Sequence, residues 1–478
     1  MERASTASTK AAWLLLAGLG AVNVYRAATQ SLTTAEAAAY LQFASQSMRH
    51  VWAPFDPHNH ILYTLLSRYS TRILGHSEFS LRLPSLISGW FYLWAVYRLS
   101  RRAFGAGALF LAAVAVLSLN PLVLDHLSMA RGYGLALALF FWALEWMLEY
   151  LETSLPHGLL NLSAVCLGLC LAASVTFLFP VLALSATFLM LLFVRRQWSW
   201  TVVIERFAVP GLVAAFVFLG IPLSRATSFA FSAGAANLYQ SLASLTALSF
   251  FPNPGRGLLL GIPVDPPSVL RILMPVVRVG LTALIVGAVA TAVRVLWRRG
   301  QGRAESLLVL TAGAIAFSYA GMALAHESFQ FPYPSNRAAL YWIPLTALAA
   351  LSLAQTLGKR PLSAAVILIS GLAAAQYLTQ FHVYTYGEWP EDAGTRTVVN
   401  VLRLKADSRM VRISASPELE PILNFYRLRY RLKNWQPVEP TTASRNSDYY
   451  VLFATEAGLI GEKHLRVFYR DGGLLLAD

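Results

Sequence analysis

The chain has 478 residues, 56% of them hydrophobic and 13% charged, with a mean hydropathy of +0.53 and a formal charge of +14. Soluble domains carry about a quarter charged residues, so a water-soluble globule of this length is excluded for want of polar surface. The positive charge does not point to nucleic acid, because the basic residues sit in short clusters between apolar runs rather than in one patch.

A helical membrane span needs about 20 largely apolar residues. On that basis the chain reads as an α-helical polytopic membrane protein of about eleven spans. The first, Ala11–Arg26, includes a run resembling a signal-peptide core. No cleavage pattern follows it, so it is expected to remain as a span. Next come Pro84–Leu99, Ala106–Leu124, Tyr133–Leu151, Gly158–Thr176 and Phe177–Val194. The spans then continue with Phe207–Leu223, Met274–Leu296, Leu307–Ala325, Ala338–Leu353 and Leu362–Leu378. The break between Thr176 and Phe177 demands a tight turn around Phe179-Pro180, and one long kinked segment is the competing reading. Cys166 and Cys170 fall on one helix face without further ligands nearby, which suits small buried apolar residues better than a metal.

Basic clusters assign the sides. Arg3 and Lys10, then Arg98, Arg101 and Arg102, then Arg195, Arg196 and Arg206 fall on one side of the predicted spans. Arg294, Arg298, Arg299, Arg303, Lys359 and Arg360 fall there too, and that side is expected to be cytoplasmic. The opposite face then receives 27–83, 125–132, 224–273, 326–337 and the whole tail after Thr379. The tail changes composition near Phe381. Short β-rich runs at Met410–Ser414, Asp448–Phe453 and Leu465–Tyr469 surround a helical stretch at Pro417–Arg429. The expected organisation is a membrane domain over 1–380 and a small extracytoplasmic α/β domain over 381–478.

Ionisable residues away from the anchoring clusters are the informative ones in such a chain. Thr33-Thr34-Ala35-Glu36 has the pattern of a helix capping box, and the same Glu36 could instead serve as a general base at the membrane surface. Phe55-Asp56-Pro57-His58-Asn59-His60 places two imidazoles two residues apart, able to cap, to face solvent, or to hold a phosphate or metal. Ile61–Gly75 reads as an amphipathic interfacial helix. The next predicted loop packs Asp125, His126, Arg131 and Tyr133 between spans. Later, Asn336 and Arg337 open a span from the non-cytoplasmic side, where an arginine beside helix N-terminal amides suits a phosphate. A snorkelling arginine is the plainer reading of both guanidiniums.

These residues resemble the C-type superfamily of membrane glycosyltransferases (GT-C), especially bacterial relatives of protein mannosyltransferases and of the lipid A aminoarabinose transferase. The resemblance runs through Asn59-His60-Ile61-Leu62-Tyr63 to Gly75-His76-Ser77-Glu78-Phe79-Ser80-Leu81-Arg82-Leu83-Pro84-Ser85, whose last five residues are its most specific part. Asn120-Pro121 with Ala130-Arg131-Gly132-Tyr133, and Pro334-Ser335-Asn336-Arg337 with Tyr341 and Pro344, resemble later segments of the family. The likeness implies an outward-facing cavity on the cell inner membrane, a polyprenyl-phosphate-linked sugar donor and a glycan, lipid or protein acceptor. It further implies a first-loop acid as base, at Glu36, and basic residues gripping the donor phosphate. His58, His60, Arg131, Tyr133, Asn336 and Arg337 are the candidates for that grip. Met129 stands where many relatives carry a glutamate; Asp125 is the nearby acid that could replace it. Relatives differ in their need for a divalent metal, so a metal cofactor stays open. The rival classes are a transporter or lipid flippase, and an inactive membrane scaffold; neither transporter-type inverted repeats nor broken-helix pairs are visible in the sequence.

Overall fold

The computed structural model describes residues 2–153, 157–226, 234–253, 257–407, 409–442, 447–471 and 473–478. Pro254 and the side chain of Arg3 lie outside the described residues. The chain forms two compact units: 1–24 with 52–63 and 85–381, and 25–51 with 64–84 and 382–478. The tail therefore shares its unit with two pieces of the first predicted loop.

In the first unit a helix occupies every predicted span that falls there. Eight helices of the described chain are long and apolar enough to cross a membrane, among them Gly132–Thr153, Thr201–Ser224, Pro266–Trp297 and Arg303–Phe329. Their burial differs with their place. Gly132–Thr153 has 78% of its most apolar window buried, whereas Pro266–Trp297 has 11% and turns Ile272, Val276, Val279 and Val286 outward. The first is a core helix and the second is built to face lipid. Gly132–Thr153 packs on His157–Ala173, which in turn packs on Val209–Ser224. Backbones approach closely at that second contact, because a Cβ on Gly211 would meet the Ala164 carbonyl oxygen at 3.0 Å. Cys166 and Cys170 are buried and unbridged on this helix, with the Cys170 thiol donating to the Ala136 carbonyl at 3.3 Å.

Two predicted boundaries move. The span predicted at Ala106–Leu124 divides into Ala108–Ser118 and Pro121–His126, because the Asn120 side chain caps Val123 N–H at 3.2 Å and Pro121 takes the first helical position. The break predicted between Thr176 and Phe177 falls slightly earlier, at Ser174, after which a short 3-10 turn, Val175–Phe177, leads into Leu178–Val194. Pro180 sits within the first turn of that helix, where its missing N–H costs nothing. The basic residues of the second span are also more than anchors. Arg98 and Arg102 both bond Glu145, at 3.1 and 3.0 Å, tying Glu78–Phe104 to Gly132–Thr153.

In the second unit the tail forms a five-stranded mixed sheet. Its order is Glu439–Pro440, Ile413–Ala415, Tyr449–Phe453, Leu474–Ala477 and Val467–Asp471, parallel across the first three and antiparallel across the rest. The predicted helix is present as Glu420–Arg429, and a second helix, Thr395–Ala406, buries Val398, Val399 and Leu402. The last strand, all four residues of it buried, is uninterrupted Leu-Leu-Leu-Ala and so shows no alternation to read. The interfacial helix predicted at Ile61–Gly75 is the amphipathic Ile61–Leu74.

Candidate active-site residues in the two units

In the second unit Thr33 caps the helix Thr34–Ala39. Its hydroxyl accepts from Glu36 N–H at 3.2 Å while Glu36 Oε2 accepts from Thr33 N–H at 2.8 Å. The capping box read from the sequence is therefore formed. The same carboxylate is bound from its other side by Arg82, whose Nε donates to Oε1 at 2.8 Å and Nη2 to Oε2 at 2.6 Å. Arg82 Nη1 donates to the Gln30 and Ala27 carbonyls at 2.9 and 3.4 Å, and Nη2 also to the Ser31 carbonyl at 2.8 Å. All five guanidinium hydrogens thus have acceptors. Both side chains are 0% exposed, and Arg82 lies over the Tyr386 ring, 5.1 Å from its centre. To take a proton, Glu36 would have to give up this paired arrangement. Arg82 was not among the residues singled out from the sequence, although it lies inside the Leu81–Ser85 segment that carries the family likeness most specifically.

Asp392 was also missed, since it lies in the tail, where the sequence offers no motif. Its carboxylate accepts from Thr34 N–H at 2.7 Å and from the Thr34 hydroxyl at 3.1 Å, binding the tail to the start of the Glu36 helix. Burial raises this carboxyl to about 7, with Glu391 and Glu36 adding to the rise and the Thr34 bonds opposing it. An unfolded aspartate titrates near 3.9, so between about pH 4 and pH 7 the folded chain holds a proton that the unfolded chain has lost. Stability from this group is full at the acid end and falls as pH rises through that window. Melting curves of the detergent-solubilised protein are expected to show this fall relative to Asp392→Asn; a pH-independent difference between the two proteins would refute it.

In the first unit the remaining candidates come from separate stretches of chain. His58 is half-exposed and tied to Asp56, whose Oδ1 accepts from its backbone N–H at 2.7 Å and pairs with its Nδ1 at 3.1 Å. His60 is buried, and its Nδ1 meets the Ala173 carbonyl at 2.9 Å. Asp125 and His126 end the short helix begun at Pro121, and both are buried. Arg131 is 2% exposed and lies 6.0 Å from the centre of the Tyr133 ring. Tyr133 stands edge-on between His60 and His126, with ring centres 4.7 and 5.2 Å away. Arg337 lies on the 3-10 turn Asn336–Ala339, and Asn336 is fixed there by its backbone N–H to Ser244 at 3.0 Å. Arg131, Arg337 and His58 are close enough for their charges to act on the His60 ring. Burial first, then these three charges, hold His60 well below the ordinary imidazole range, against the opposing pull of its bond to Ala173. The His60 ring is therefore held in its neutral form near pH 7.

The unit so brings His58, His60, Arg131, Tyr133 and Arg337 into one neighbourhood, with His126 adjoining through Tyr133. Among the described residues, no group of three or more His, Cys, Asp or Glu side chains is arranged to hold a metal ion.

No family model and no curated protein matches the chain. Solved structures do. The chain is similar to ArnT from Cupriavidus metallidurans, in the apo state, at 14% identity over 98% of both chains with a TM-score of 0.49. It is similar to the Archaeoglobus fulgidus oligosaccharyltransferase, solved with Zn and sulfate, at 14% identity over 92% of this chain and 68% of that one, TM-score 0.49. The arabinosyltransferase EmbB from Mycobacterium smegmatis matches at 15% identity over 83% and 42%, TM-score 0.38.

Proposed function

We propose that the chain is an inverting membrane glycosyltransferase that moves a sugar from a polyprenyl-phosphate-linked donor to a hydroxyl of an envelope acceptor. It would work at the outer face of the cell inner membrane. The observation that carries this reading is the gathering of Arg131 and Arg337, from loops some two hundred residues apart by number, around the buried His60–Tyr133 contact. Two guanidiniums whose charges both reach one buried ring in a largely apolar unit suit an anion that arrives there, and a lipid phosphate can reach it while its tail stays in hydrocarbon.

The reaction is then a single displacement. The acceptor oxygen bonds to the anomeric carbon, the bond from that carbon to the phosphate oxygen breaks, and its electron pair leaves with the phosphate. Arg131 and Arg337 stabilise the charge that builds there. The proton of the attacking hydroxyl passes to a carboxylate. Asp125, in the unit that holds the guanidiniums, is the one this reading favours; Glu36 would serve only after releasing Arg82.

Mass spectrometry of envelope glycans from cells with and without the protein tests the reading. One sugar modification is expected to disappear with the protein. Arg131→Ala and Arg337→Ala should each lower it about 10- to 100-fold, the loss of one charge-assisted hydrogen bond, with the variant still present in the membrane. Asp125→Asn should remove it. Wild-type glycans in both arginine variants, or movement of the lipid-linked sugar across vesicles without its cleavage, would sink the proposal in favour of transport.

A further inference from the structure

A small cavity lies beside His60, bounded by the Phe55–Ile61 loop on one side and by Ala172–Thr176, with Leu219, on the other. Its volume is about 20 Å³, above the ~10–15 Å³ that one water requires and far too small for a sugar ring. It can take one hydroxyl-sized group.

The polar atoms facing that space define the guest. A backbone carbonyl can only accept, so the 2.9 Å contact with Ala173 fixes the His60 hydrogen on Nδ1 and leaves a bare lone pair on Nε2. His60 is 6% exposed, and no described polar atom lies within hydrogen-bonding distance of Nε2. Leaving a buried acceptor unmet is destabilising, and His60 is among the residues that line the cavity. Also in the lining, the Ser174 and Thr176 hydroxyls are 2.9 Å apart and share one hydrogen, so the second remains to be donated. Asp56 adds a carboxylate to the lining. A group that can only accept would leave the Nε2 lone pair unmet, and a cation would meet the field of Arg131 and Arg337. A neutral group that gives one hydrogen and accepts another satisfies the lining.

We infer that His60 is a hydroxyl-binding residue, its Nε2 accepting a hydrogen bond from a substrate hydroxyl seated in this cavity while the Ser174–Thr176 pair donates back to it. The inference rests on the glycosyltransferase reading for the identity of that hydroxyl as one of the donor sugar or acceptor. It also gives the break at Ser174 a use, since the interrupted helix supplies both the Ala173 carbonyl and the donating pair.

Two measurements test it. In the full-length protein in detergent, with nitrogen-15-labelled histidine, the His60 ring is assigned by its loss in His60→Asn. It is expected to show Nδ1 protonated and Nε2 bare from about pH 8 down to about pH 5, across the range where a free imidazole titrates. An Nε2-protonated ring, or ordinary titration, would overturn the inference. In cells, His60→Asn keeps a donor toward Ala173 but is too short to place its amide oxygen where Nε2 stands, and should lower the envelope modification about tenfold or more. His60→Gln returns an acceptor near Nε2 and should stay within about threefold of wild type. Equal and complete loss in both, at normal membrane levels, would overturn hydrogen-bond acceptance in favour of proton transfer. Wild-type levels in His60→Asn, where Arg337→Ala still lowers the modification, would show a resident water and overturn the inference alone. No effect of Arg337→Ala would remove the parent reading, and this assignment with it.

Discussion

Arg82→Met is expected to lower the stability of the second unit by about 3–5 kcal/mol, the usual cost of stripping one partner from a buried ion pair. The side chain removed supplies Glu36 with two hydrogen bonds and also satisfies the carbonyls of Ala27, Gln30 and Ser31. Without it, a fully buried carboxylate loses the guanidinium from both of its oxygens. The loss should appear as a lower melting temperature in detergent and less protein recovered from membranes. Glu36→Gln is expected to be destabilising as well, because Arg82 would then be the buried charge without a counter-ion. A Glu36→Gln, Arg82→Met double variant should be more stable than the Arg82→Met protein, since no net charge is stranded. If Glu36→Gln is fully stable and yet abolishes glycan transfer, the carboxylate is a base after all, and the stabilising role assigned to it here fails.

The second large effect concerns Gly132, at the first position of the core helix Gly132–Thr153. A Cβ built there would press into the Ala173 carbonyl oxygen and stand 2.8 and 2.9 Å from His60 Cβ and Cγ. The obstacle is main chain, which cannot swing aside as a flexible side-chain end can. Gly132→Ala is therefore expected to cost about 1–3 kcal/mol in overpacking strain and to loosen the His60 bond to Ala173. Its signature is a combined one: a lower melting temperature together with a His60 ring that loses its fixed Nδ1–H form. Gly158→Ala serves as a control, because a Cβ there meets nothing within 4 Å. Equal behaviour of the two variants would show that the close approach at Gly132 has no consequence.

Much of this molecule was legible in the sequence because its signals are local. Hydropathy and length located the spans, since a span must bury its own backbone polar groups and cover about 20 residues with apolar side chains. The capping box was legible for the same reason, its donors and acceptors lying three residues apart. The division at Asn120-Pro121 was written in a cap and a proline that the span reading passed over, because uninterrupted hydropathy hides a short break. The all-apolar last strand was hidden in the same way, having no alternation to mark it.

What the sequence by itself determined is the class of the chain, the location of its spans and the set of polar residues that lipid would not tolerate without a purpose. Only the tertiary structure decided how those residues are used. It paired Glu36 with Arg82 across 46 positions and Asp392 with Thr34 across 358, and seated His60 against Ala173 across 113. A carboxylate or an imidazole has no fixed role of its own: its charge and its free lone pairs follow from the groups that burial sets around it. Those groups arrive from distant parts of the chain, so spacing along the sequence could nominate Glu36 and His60 but could not say that one is locked in an ion pair and the other is neutral with an acceptor to spare.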